Sequence, residues 1–141
     1  GYNTNSDSMK AFYQENVYAN RWQKLLGFYN DKGTYKIKMV PPYTYDETFD
    51  GYTTVSSPAV PSSNGYIKDL SFNSSYGILP KTTGDSSTTY VGDLFYTNND
   101  KVGLLSVGSN CINNDGGSWC LWLSGRASDS YWSVGASVYL T

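Results

Sequence analysis

Cys111 and Cys120 are the only thiols in a 141-residue chain that contains no histidine. Without an imidazole there is no Ser-His-Asp or Cys-His nucleophile, no His-ligated zinc or iron site and no imidazole proton shuttle, which closes most common enzymatic mechanisms. The two cysteines allow at most one disulfide, and a chain of this size does not need one; buried thiols are the other simple reading. A calcium site would need clustered oxygen ligands. Asp93, Asn98, Asn99 and Asp100 read instead as turn residues, and no Glu-Pro-Asn, Gln-Pro-Asp or Trp-Asn-Asp triplet is present. The expected cofactor set is therefore empty. What remains is recognition. Residues 103–141 crowd Asn, Ser, Gly, Asp, Tyr and Trp between short apolar runs, at a density that no core could bury. Tyr and Trp offer large, stiff contact areas, and Asn, Ser, Gly and Asp offer adaptable hydrogen bonds, which is the composition of an antibody paratope. Trp122, Arg126 and Tyr131 are the expected anchors; the plainer alternative makes Trp122 core and Tyr131 an edge residue.

Such a surface needs a frame. Leu104-Leu105, Leu121-Trp122-Leu123 and residues 134–140 read as strands. Alternation in residues 119–124 sends Trp119, Leu121 and Leu123 to one face and Cys120, Trp122 and Ser124 to the other. Upstream, Ser8 is a candidate N-cap, Phe12, Asn16, Ala19, Trp22 and Leu26 form one helical stripe, and Gly27 stands where a C-cap belongs; this spacing predicts a helix within about 9–26, continuous or broken in two. Residues 1–8 are expected to fray. Asn30-Asp31-Lys32-Gly33 reads as a turn, residues 34–40 as a strand stopped by Pro41-Pro42, and residues 43–64 as a surface excursion with a short strand near 52–55. Further strands are expected at 65–72, 93–97 and 103–107, with a turn at Asn98-Asn99-Asp100. Residues 74–93 read as loop, anchored by Ile78-Leu79-Pro80.

Length fits one domain, residues 1–141, large enough to bury a core. Only 16% of residues are charged against 16% aromatic, with 14 Tyr and 14 Gly, so the chain is globular with an uncharged polar surface. A net charge of −2 with no Lys/Arg cluster lacks the footprint of nucleic-acid binding. No apolar run approaches 18 residues and no signal peptide is visible, so membrane insertion is not expected. Gly1 in place of Met reads as a trimmed start, so that any upstream region, such as a shaft or anchor, would fall outside this sequence.

Three pieces together resemble C-type-lectin-fold proteins of the formylglycine-generating-enzyme type, in particular the variable proteins diversified by retroelements in bacteria and their phages, including gut Bacteroides phage members. Glu15-Asn16-Val17-Tyr18-Ala19-Asn20-Arg21-Trp22-Gln23 is similar to the family's E-N-x-x-G-N-x-W-E-W, with Ala19, Gln23 and Lys24 departing from it. Gly65-Tyr66-Ile67-Lys68-Asp69-Leu70, Ile78-Leu79-Pro80-Lys81 and residues 84–90 are close to the G-Y-I-K-D-L, LPK and G-G-S-S-T-T-Y segments of the phage members. Residues 105–109 and Val134-Gly135-Ala136-Ser137 stand where the family has V-x-R-G-G-S-W and I-G-A-R, with Ser109 and Ser137 as departures.

The resemblance, spanning roughly residues 12–140, implies an α+β fold: a loop-rich C-type lectin fold with small antiparallel sheets and one or two helices near the N-terminus. It also implies a non-enzymatic display domain whose diversifiable surface, about 106–137, binds a cell-surface protein or glycan. The expected location is a virion tail or head fibre, or a bacterial cell surface, with homo-oligomerisation left open. Asn110, Asn113, Asn114, Asp115, Trp122, Ser124, Arg126, Asp129, Tyr131 and Ser133 are the expected ligand-binding residues, although residues 113–117 also read as a simple tight turn. Two alternatives accompany this reading: an oxidase of the formylglycine-generating type using Cys111 and Cys120, and a structural capsid or fibre subunit.

Overall fold

The structure, a computed structural model, describes residues 10–11, 14–15, 22–43, 47–88, 91–108, 120–131 and 133–135. Among them there is no helix. Eleven strands run β1 (Lys10–Ala11), β2 (Gln14–Glu15), β3 (Trp22–Asp31), β4 (Thr34–Ile37), β5 (Thr53–Thr54), β6 (Gly65–Asn73), β7 (Gly77–Asp85), β8 (Leu94–Thr97), β9 (Val102–Val107), β10 (Leu121–Leu123) and β11 (Val134–Gly135). β1 and β2 pair by themselves. The other nine form one sheet in the order β5-β4-β3-β9-β10-β8-β6-β7, with β11 added to β3. It is mixed: β10 runs parallel to β8 and β11 parallel to β3, and every other neighbour is antiparallel.

The α+β expectation, with its N-terminal helix and small antiparallel sheets, is thus overturned. Residues 9, 12–13 and 16–21 of the predicted helix lie outside the described residues, and the rest are strand. Trp22 and Leu26 do stand four apart, as a helical stripe requires, but β3 is held from both sides, with Phe28↔Ile37 and Tyr29↔Lys36 on β4 and Tyr29↔Leu104 and Asn30↔Gly103 on β9. Long-range pairing of an aromatic-rich segment outweighs a weak local preference. Gly27 is no C-cap. It has φ +91 where the β3–β9 register shifts between Lys24 and Tyr29, and a Cβ there would stand 2.7 Å from the Lys38 carbonyl oxygen. A left-handed residue at a bulge with backbone against it has to be glycine.

The turn read at residues 30–33 is a two-residue hairpin, Asp31 pairing with Thr34 across Lys32 (φ +49) and Gly33 (φ +94), the backbone of a type I′ turn. The loop expected at 74–93 is corrected over most of its length, because β7 pairs with β6 from Asn73↔Gly77 to Tyr66↔Asp85. Pro80 hid it, yet β7 ends the strand order, and an edge strand tolerates a proline whose missing N–H faces away from the ladder.

β9 is buried from Gly103 through Ser106, as a strand covered on both faces must be. On one face Tyr35, Ile37, Val55, Val60, Ile67, Leu79, Phe95, Leu105 and Leu123 form a single core. On the other, Tyr29 meets Phe49 and Tyr52, the three rings mutually edge-to-face at 5.4 to 5.7 Å. The excursion at 43–64 is therefore partly interior: Val55, Pro58, Val60 and Pro61 are buried.

The sheet curls enough for Tyr35 on β4 to reach β7, its hydroxyl donating to the Pro80 carbonyl at 2.8 Å. Burial raises the Tyr35 pKa well above the ordinary phenol value. Above about pH 10 the unfolded chain releases this proton and the folded chain keeps it, so Tyr35 costs about 1.4 kcal/mol of stability per pH unit in that range. Urea unfolding at pH 9 and pH 11 should show a smaller alkaline loss for Tyr35→Phe than for the parent, and equal losses would contradict the assignment.

Candidate functional site

Six of the expected binding residues fall on one stretch, residues 122–133, which leaves β10 and returns to β11. Asn110, Asn113, Asn114 and Asp115, with Cys111 and Trp119, lie outside the described residues. β3 anchors the stretch. The Trp22 N–H donates to the Ser133 carbonyl at 2.7 Å, and the Lys24 ammonium donates to the Ala127 carbonyl at 2.7 Å and also to that of Asp129. Within the stretch, Asp129 Oδ2 accepts from the Arg126 N–H at 2.8 Å, the Asp129 N–H donates to the Arg126 carbonyl at 3.1 Å, and the Val134 N–H donates to the Tyr131 carbonyl at 3.0 Å. The stretch is thus held by the β3 backbone at Trp22, by the Lys24 side chain and by its own internal hydrogen bonds.

Trp122 sits at the base. Its ring lies 5.5 Å from that of Trp22, tilted by 49°, while Trp22 also meets Tyr96 edge-to-face at 6.0 Å. The indole N–H of Trp122 donates to Ser124 Oγ, and its ring lies so close to Gly125 that a Cβ there would come within 2.9 Å. Trp122, Ser124, Asp129 and Ser133 are consequently half-buried, whereas Arg126 and Tyr131 project, Tyr131 with 56% of its surface exposed. The expected alternation along β10 is incomplete: Leu123 is buried as anticipated, but Cys120, assigned to the opposite face, has no exposed surface at all.

Lys24 was not anticipated. It falls in the segment read as helix, and its partners are 103 and 105 residues away. Its pKa is lowered by burial, against a smaller opposing pull from Asp129. Among the described residues no group of three or more Cys, Asp or Glu is placed to hold a metal ion.

A concavity lies elsewhere. Residues 57–63 and 81–83 line an open groove of about 600 Å³. In comparisons with known proteins, no family model, no curated protein and no solved structure matches the chain.

Proposed function

We propose that the chain is a non-enzymatic display domain of a phage or bacterial surface structure, which binds a cell-surface protein or glycan through a diversifiable surface around residues 106–137. The observation that carries this reading is the pinned stretch 122–133, in which Trp22 and Lys24 fix the backbone while Arg126 and Tyr131 stand outward. A contact loop ordered before binding loses little entropy on binding, and arginine and tyrosine are the residue types that dominate interface energetics. The polar-aromatic composition of the stretch and the likeness of its flanking segments to retroelement-diversified proteins support the same reading.

Retention of the purified chain on a panel of intact bacterial strains and on a printed glycan array tests it. Arg126→Ala and Tyr131→Ala should each weaken retention about thirty-fold, the equivalent of about 2 kcal/mol per anchor, with the melting temperature unchanged. Lys24→Met should weaken it as well, by releasing the loop. Retention that survives the Arg126→Ala, Tyr131→Ala double substitution would refute the proposal.

A further inference from the structure

The groove between residues 57–63 and β7 is built from parts that the display surface does not use. One wall is an irregular segment with a fixed course. Val60 donates its N–H to the Gly33 carbonyl at 3.0 Å, and the carbonyls of Val60 and Pro61 both accept from Asn99 Nδ2 at 3.3 Å. The other wall is the end of β7, joined to the first through Thr83, whose hydroxyl donates to the Ser63 carbonyl at 2.9 Å and lies 3.2 Å from Ser63 Oγ. Both walls are therefore set before any ligand arrives, and a volume of about 600 Å³ falls within the usual range of ligand sites.

The chemistry of the lining is specific. Pro58, Val60 and Pro61 are buried and form an apolar floor, Val60 as part of the core, while Ser57, Ser62, Ser63, Thr82, Thr83 and one cation, Lys81, supply the polar part of the lining. Thr82 donates to Asp69 at 2.7 Å, and Thr83 donates to the Ser63 carbonyl while accepting from Ser63 Oγ, so each threonine oxygen keeps capacity to accept. Among the described residues, Ser57 and Ser62 make no side-chain hydrogen bond and can turn to donate or accept, and Lys81 is exposed with no ion pair. Hydroxyls able to donate or accept match the hydroxyls of a sugar ring, and a single ammonium matches a single carboxylate. A phosphate-rich polymer would need several cations.

From this lining we infer that the groove is a second binding site and that its ligand is an acidic saccharide, with the carboxylate at Lys81 and the ring hydroxyls along Ser57, Ser62, Thr82 and Thr83. The site does not depend on the display reading. β7 closes one end of the strand order, and the pinned loop docks on β3, with β9, β10, β8 and β6 between them in that order.

The test is a titration of the isotope-labelled full chain with hyaluronan tetrasaccharide, which carries glucuronate, and in parallel with neutral tetra-N-acetylchitotetraose, followed by amide chemical shifts. The acidic probe should move the amides of residues 57–63 and 81–83. Lys81→Gln should raise its Kd about tenfold, and Ala59→Trp, which fills the groove from an exposed position, should abolish the shifts. If Ala59→Trp lowers the melting temperature, Ser62→Tyr makes the same test. Arg126→Ala with Tyr131→Ala should leave the shifts in place, which separates this site from the display surface. Absence of shifts at these amides, or shifts that survive both groove-filling variants, overturns the site. Equal response to tetra-N-acetylchitotetraose with no effect of Lys81→Gln overturns its selectivity for acid.

Discussion

Gly103→Ala is expected to leave the chain without a cooperative melting transition. Gly103 is buried in β9, opposite Asn30 of β3, and the backbone leaving β10 runs directly over it. A Cβ at this position would stand 2.6 Å from the Leu123 carbonyl carbon, closer still to its oxygen, and 3.1 Å from the Ser124 nitrogen. Atoms at the end of a flexible side chain could move aside, but these are main-chain atoms held on both sides. The Leu104 N–H donates to the Gly125 carbonyl at 2.8 Å, and Leu121 and Trp122 pair with Val107 and Ser106. Relieving the overlap means parting β9 from the chain that follows β10, which opens the core at Leu105 and Leu123. The expected cost exceeds about 4 kcal/mol, a large share of the stability of a domain this size. Circular dichroism against temperature, with amide dispersion as a second readout, decides the matter; a variant that melts within a few degrees of the parent would show the close approach to be unimportant.

Asn30→Ala should cost about 3 kcal/mol without abolishing the fold. Asn30 is fully buried, and its carboxamide is the junction of three segments. Oδ1 accepts from the Gly33 N–H at 2.8 Å, which braces the β3–β4 hairpin from inside. Nδ2 faces Asn99 Oδ1 at 2.9 Å, Thr97 Oγ1 and the Asn98 carbonyl at 3.3 Å, and the Leu123 carbonyl at 3.5 Å. With two protons it satisfies two of these at a time, and Asn99 Oδ1 also accepts from the Thr97 hydroxyl at 3.1 Å, so the amide sits within a shared buried network. Alanine removes both protons and leaves buried oxygens unsatisfied, at about 1 to 3 kcal/mol each before any cavity is counted. Denaturant midpoints for Asn30→Ala, Asn99→Ala and the double variant measure the coupling. Strict additivity would mean that the two amides do not act together.

The parts of the fold legible in the sequence are those whose signals are local. Thr34–Ile37, Leu94–Thr97 and Val102–Val107 are short apolar or alternating runs bounded by Gly, Asn, Asp or Pro, and they are strands. Asn98 was read as a turn residue, and its Oδ1 does accept from the Asp100 N–H at 2.9 Å. The losses are non-local. β3 carries Trp22 and Leu26 at helical spacing, and only its distant partners make it a strand. Asn99 looks like its neighbour in composition, yet its side chain turns inward to Asn30, a partner 69 residues away. At the candidate site the outward residues Arg126 and Tyr131 were legible by type. The clamp beneath them was not, because nothing about Lys24 in isolation distinguishes it from any solvated lysine.

Pro80 has a further consequence, for how this protein behaves at high concentration. Among the described residues the main path of the sheet has two ends at which another molecule's strand could add and start a growing ribbon, and β11, off this path beside β3, is only two residues long. One end is β5, two exposed residues long and too short to template anything. The other is β7, which Pro80 divides into runs of three and five residues, and the second run borders the segment at 57–63. Irregular register along β6 twists this margin further. Among the described residues no helix covers this rim, and margins broken in this way resist adding the strands that would grow into fibrils, so that many copies can be packed together without these two edges seeding aggregation.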